Sequence, residues 1–185
     1  MATPEQSDAG DEVAIAQRSL SRPHDRIVYW ACVAVSCFHL WANTLGILPE
    51  LQRNAIHYGF LLFIAYLLYP PSRGKKGSLF LDYGLATLSA LAAGYLILFE
   101  TDLHARNQVP LPRDLIAAAC ALVLLLEITR RTTGWFIPTL ALLFLTYATV
   151  WGKFVAGMWQ FPGVSFERIL YRMYFAPDGI FGTIA

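Results

Sequence analysis

The sequence predicts an all-α integral membrane protein of about five transmembrane helices, closed by a C-terminal amphipathic helix at the membrane interface. Composition is the first reason. Charged residues make up 15% of the chain and hydrophobic residues 56%, against roughly 25% charged in an ordinary soluble domain. Placement is the second. The charges gather between long apolar runs, whereas helices of a soluble bundle each need a polar face. The stretch 115–151 shows this most plainly: an apolar run, a break at Glu127, Arg130, Arg131 and Gly134, then a second apolar run.

Residues 1–24 are polar and place Glu5, Asp8, Asp11 and Glu12 ahead of the first basic residue. A secretory leader begins positively charged and then turns apolar, so this segment reads as a disordered cytoplasmic tail. The first span, 27–48, is about 22 residues and roughly 33 Å long, enough for a hydrocarbon core of about 30 Å. Tyr29 and Trp30 sit at one end as interfacial aromatics do. His39 and Asn43 are four apart on one face, which marks them as a polar pair for an interhelical hydrogen bond.

The second span, 54–69, is short and ends at Tyr66 and Tyr69. Pro70-Pro71 stops it, and the loop carrying Arg73, Lys75 and Lys76 marks the inner side. That loop lacks Walker spacing, so topology explains it better than phosphate binding. In the third span, 79–99, Asp82 suits the helix dipole of the first turn. Ala86, Ala90 and Gly94 form a small-residue packing stripe there.

The loop 100–113 holds Glu100, Asp102, His104, Arg106 and Arg113. Its mixed charges read as an exposed outer loop. Glu100, Asp102, Arg106 and Arg113 are the candidate docking residues for a partner protein. His104 has acids nearby but no second histidine at ligand spacing, which argues against a metal site. The fourth span, 114–129, starts on Asp114 as N-cap. Glu127 is followed by Arg130 and Arg131 at i+3 and i+4, the spacing of an inner-face ion pair. A proton relay through Glu127 would want partners along the span, and only apolar Ala, Leu and Val precede it closely.

The fifth span, 135–151, is bracketed by tryptophans, with Pro138 in its first turn. Residues 152–185 form an outer connector and a short helix capped by Ser165. Phe166, Ile169, Leu170 and Met173 lie on one side of that helix, with Arg168 and Arg172 on the other. This is the pattern of a helix lying in the membrane surface. The final apolar run, 180–185, reads as unfinished. Cys32, Cys37 and Cys120 fall inside spans at neither redox nor zinc spacing and read as buried small hydrophobes.

Basic residues favour the inner side, with Arg18, Arg22, Arg26, Arg73, Lys75, Lys76, Arg130 and Arg131 there. Arg53, Arg106, Arg113, Lys153, Arg168 and Arg172 fall outside. The amino terminus is therefore expected in the cytoplasm and the carboxyl terminus in the periplasm. A net charge of +1 without a basic patch excludes a nucleic-acid partner. No convergent pair of titratable groups marks an enzyme, so the lipid bilayer is the one partner read from composition.

Leu51-Gln52-Arg53 with His57, Leu126-Glu127 with Arg130-Arg131, Gly134-Trp135 with Pro138, and Asp178-Gly179-Ile180-Phe181-Gly182 form an ordered set of short motifs. Together, over about 51–182, they resemble fused permeases of tripartite ATP-independent periplasmic (TRAP) transporters, the TAXI subgroup above all. The resemblance implies that 25–151 is the small, Q-type membrane domain and that 152–185 leads into a large, M-type permease component, fused or separate. It also implies a bacterial inner-membrane location, an elevator mechanism, a periplasmic substrate-binding protein as partner and small organic acids as cargo. Substrate sites and sodium coupling would then lie in the large component, leaving this chain a scaffold without cofactor, metal or catalytic residue. Two other readings of the residues stand beside it. One is an assembly or anchoring subunit of another complex; the other is an intramembrane enzyme using Glu127, His39 or His104. Under the scaffold reading, the loop 100–113 and the connector 153–163 would receive the binding protein.

Overall fold

The computed structural model describes residues 18–71, 78–106, 109–176 and 179–182. The acidic tail, the basic loop with Arg73, Lys75 and Lys76, and Asp178 lie outside the described residues. Among the described residues every regular element is helical, with no strand. In order these are α1 (Arg22–Thr44), α2 (Glu50–Leu68), α3 (Leu79–Ala105), α4 (Pro112–Thr133), α5 (Phe136–Thr146) and α6 (Phe166–Phe175). A π-helical turn, Tyr147–Trp151, continues α5, and two 3₁₀ turns follow at Gly152–Phe154 and Gly157–Trp159.

Three segments are long and apolar enough to cross a membrane: Arg22–Thr44, Leu79–Ala105 and Phe136–Phe154. The other two long helices keep polar ends. α2 carries Glu50, Gln52, Arg53, Asn54 and His57 in its first turns, and α4 carries Arg113 and Asp114 at one end and Glu127, Arg130 and Arg131 at the other. These two are also enclosed by protein. Tyr58, Leu62 and Tyr66 of α2 and Ala118, Ala121 and Leu124 of α4 are buried, whereas α1 buries only Val28 and Ala42. Helices that face protein can hold polar groups that lipid would reject.

Several boundaries move from the sequence expectation. Order begins before residue 25, since α1 starts at Arg22 and the Arg18 side chain is bound to Asp82. α3 runs on to Ala105 and takes Glu100, Asp102 and His104 out of the supposed loop. α4 starts with Pro112 in its first turn and Leu111 as N-cap, so Asp114 is not the cap. Instead its carboxylate reaches back and accepts the Leu111 N–H at 2.7 Å, which satisfies one orphan donor from inside the helix.

α2 and α3 pack closely. A Cβ added at Gly59 would stand 3.1 Å from the Ala93 Cβ, so the missing side chain permits the approach. Ala86 of the small-residue stripe is buried there. Ala90 and Gly94 instead open, with Ala31, Ile56, Gly59 and Phe63, onto an apolar cavity of about 310 Å³ between α1, α2 and α3.

Tyrosines fasten this core. Tyr58 and Tyr66 donate to the backbone carbonyls of Ala121 and Leu124, each at 2.7 Å, and Tyr174 donates to that of Ala92. Tyr66, one of the two tyrosines at the helix end, is fully buried and serves as a core donor. Tyr58→Phe is expected to lower stability by about 1 kcal/mol, the net worth of a typical intramolecular hydrogen bond. Thermal unfolding in mild detergent would read it.

The α6 helix spends its apolar side largely on protein. Leu170, Tyr174 and Phe175 are buried, Ile169 and Met173 half-buried, and only Phe166 of the expected lipid-facing stripe is exposed. The helix packs against α4. Ser165 holds the N-cap position without a side-chain bond. Beyond it, Ile180 N–H donates to the Met173 carbonyl at 2.7 Å. Phe181 is fully buried, edge-on to Tyr58 and Tyr174 with ring centroids 5.0 and 5.3 Å away. The Asn54 amide donates to the Phe181 and Gly182 carbonyls at 3.0 Å. The 180–182 segment is thus sewn into the core.

Candidate functional site

Among the described residues the buried carboxylates sit at the two ends of the α3–α4 pair. At one end Asp82 of α3 is buried. Its Oδ1 accepts from Arg131 of α4 at 2.7 Å and its Oδ2 from Arg18 at 2.6 Å. Arg131 also donates to Glu127 at 2.9 Å and to the Tyr69 carbonyl at 3.0 Å, with its guanidinium 4.9 Å from the Tyr66 ring centre. Arg130 grips Glu127 with two bonds at 2.7 and 2.8 Å, reaches the Pro71 carbonyl at 3.1 Å and lies over Trp135. Two-pronged arginine–carboxylate pairs are among the strongest hydrogen bonds a protein makes. The Glu127–Arg130–Arg131 group named by spacing is brought together here, as part of a larger network that includes Asp82 and Arg18.

At the opposite end the roles reverse. Asp114 of α4 is buried and accepts from Tyr95 of α3 and from Arg106, the residue following α3, the latter at 3.0 Å. Each helix lends its partner a carboxylate, at opposite ends. The pairs Asp82–Arg131 and Tyr95–Asp114 also fix α3 and α4 as antiparallel. From Asp114 to Arg131 is roughly 25 Å along the helix axis at ~1.5 Å per residue, and between Asp114 and Glu127 α4 has no charged residue.

The candidate docking residues do not form one exposed patch. Arg106 is engaged by Asp114, and Glu100 accepts from Gln52 of α2 at 2.9 Å. Arg113 lies over the Phe99 ring at 4.8 Å. Asp102 is exposed on the last turns of α3.

His39 and Asn43 do not act as a pair toward another helix. The Asn43 amide turns back to the His39 carbonyl at 2.8 Å. The interhelical bond joins His39 Nε2 to His57 Nδ1 of α2 at 2.7 Å, which requires one ring to donate and the other to accept. His24 Nδ1 meets the Tyr83 hydroxyl of α3 at 2.7 Å. Among the described residues these histidine contacts are the side-chain hydrogen bonds tying α1 to the other helices. Cys32 and Cys37 lie on the outward side of α1, exposed, and not in the core as expected; Cys120 is half-buried.

Sequence reasoning missed Asp82 as the network's centre. Up-and-down topology holds the signal: Asp82 opens one helix at the end where Arg131 closes its neighbour. Among the described residues no group of three His, Cys, Asp or Glu side chains gathers as a metal site would require. No family model matches the chain, and no curated protein or solved structure matches it.

Proposed function

We propose that the chain is the scaffold membrane component of a TRAP-type secondary transporter of the TAXI kind, beside a large M-type component that carries the substrate and sodium sites. The observation that carries this reading is the pair of reciprocal carboxylate links between α3 and α4. They join two long helices into one block, with the buried Asp82 and Asp114 engaged across it. A transporter that moves its cargo against a fixed frame needs such a block. The Gly-Ile-Phe-Gly motif adds support, because its Phe181 is docked in the core.

In this reading α2 and α4 cross the bilayer as well, as the protein-facing pair, giving five spans in all. Arg130 and Arg131 lie on the cytoplasmic side, and the Asp114 end faces the periplasm of a bacterial inner membrane. The cargo is a small organic acid delivered by a binding protein.

Isolation of the chain from native membranes tests this. Co-purification with a larger permease of many more spans is expected, together with organic-acid uptake that requires both. A partner with no transport activity would favour an anchoring subunit of another complex instead. Docking is tested at Asp102, since Arg106 is committed to Asp114. Asp102→Arg is expected to lower uptake driven by the binding protein while the complex still assembles. Undiminished uptake would remove the docking role.

A further inference from the structure

Beyond the end of α5 the chain turns back on itself, and its bonding is unlike that of a loop in water. Gly152 begins the turn. A Cβ there would lie 2.6 Å from the Tyr147 carbonyl oxygen and 3.1 Å from the Phe161 Cβ, so the outgoing and returning segments nearly touch. Phe161 N–H donates to the Gly152 carbonyl at 3.0 Å and Val164 N–H to that of Ala148 at 2.9 Å. Ala148 belongs to the π-helical turn Tyr147–Trp151, and its carbonyl is the one the returning chain reaches. The Tyr147 hydroxyl donates to the Trp159 carbonyl, and the Val155 and Gln160 N–H groups donate to the Gly152 and Gly157 carbonyls. Part of the non-helical backbone is therefore satisfied from within the hairpin.

Its side chains point the other way. Phe154, Met158 and Trp159 are 76%, 92% and 72% exposed. Lys153 is the sole charged residue between Arg131 and Glu167, and its ammonium lies 5.0 Å from the Phe154 ring centre. Exposed tryptophan, methionine and phenylalanine around one lysine match the boundary of a bilayer, where aromatic rings sit at headgroup level and lysine reaches up to phosphate. Irregular backbone is excluded from the hydrocarbon centre, and internal pairing lowers its cost near the surface. Exposed apolar side chains also line the preceding helix, Leu140, Leu143 and Phe144 on α5 and Val150 on the π-helical turn. With Val164 bonded to Ala148, the return brings the chain back about one helical turn below Gly152, roughly 5 Å.

We infer that the hairpin 152–164 is seated in the phospholipid interface as an aromatic anchor at the end of α5, and is not a water-facing loop that receives another protein. The inference rests on the membrane reading proposed above and deepens it. It makes the bilayer the occupant of this surface and leaves binding-protein docking to the α3 end.

The test uses the full chain in vesicles of phosphatidylcholine and phosphatidylglycerol, with Cys32→Ala, Cys37→Ala and Cys120→Ala as background. A polarity-sensitive fluorophore is placed by Met158→Cys, by Phe154→Cys or, as reference, by Leu142→Cys in the middle of α5. The Met158 and Phe154 labels are expected to be quenched by lipid brominated near the headgroup and shielded from aqueous iodide. The Leu142 label is expected to respond to deeper bromine. Iodide quenching at Met158 and Phe154 with lipid quenching kept at Leu142 would overturn the anchor and leave the membrane reading standing. Shielding from both quenchers would also overturn it, by showing protein over the surface. Iodide quenching at Leu142 would remove the membrane reading and the anchor together.

Discussion

Asp82→Ala is expected to destabilise the protein by about 3 kcal/mol, the lower end of the range for breaking a buried ion pair. Asp82 is 1% exposed and takes Arg131 and Arg18 on separate oxygens. Its removal leaves the Arg131 guanidinium buried with one carboxylate partner fewer. The lower end applies because Arg131 keeps Glu127 and the Tyr69 carbonyl. Asp82→Asn should fall between the two, since an amide retains shape and one acceptor but not the charge. Chemical denaturation in mild detergent measures the loss. The combination Asp82→Ala with Arg131→Met should cost less than the sum of the single changes, as coupled partners do. Strict additivity would mean that the two side chains do not interact.

The second large effect is expected at Gly179. A Cβ there would stand 2.2 Å from the Arg172 carbonyl oxygen and 2.5 Å from that of Met173. Both obstacles are backbone at the end of α6, so neither can swing aside. Gly179→Ala must therefore push the turn away from the helix. It is expected to pull Phe181 from between Tyr58 and Tyr174 and to break both Asn54 bonds. The cost should approach that of Phe181→Ala, about 3–5 kcal/mol for losing a buried phenylalanine. Thermal unfolding of the two variants side by side checks the equivalence. If Gly179→Ala behaved like the parent while Phe181→Ala unfolded early, the close approach at Gly179 would be wrong and the burial of Phe181 right.

The sequence carried the helices and the Glu127–Arg130–Arg131 cluster, because both follow from local spacing. Apolar runs register over a dozen or more residues, and i+3 and i+4 neighbours meet on any helix. What it did not show depends on which helix faces which. Asp82 looked like a dipole partner until α4 was set beside α3. His39 was matched with Asn43, four residues away, when its partner His57 sits on another helix. Tyr66 served only to mark a helix end, but its hydroxyl reaches into α4. The loop 100–113 shrank because polar residues on an extended helix end resemble loop residues in composition. The α6 stripe was recognised, yet periodicity cannot say whether an apolar face meets lipid or protein.

On the membrane reading proposed above, the exchange of carboxylates between α3 and α4 bears on how the chain would enter a bilayer. Brought in alone, α3 would carry Asp82 without Arg131, and α4 would carry Arg131 and Asp114 without their cross-helix partners. Ionised side chains in lipid are costly when single and far less so when paired. As a hairpin, the two helices would pair these charges at both ends before either met hydrocarbon. On that reading the α3–α4 hairpin would be the smallest unit of insertion that gives both carboxylates their cross-helix partners.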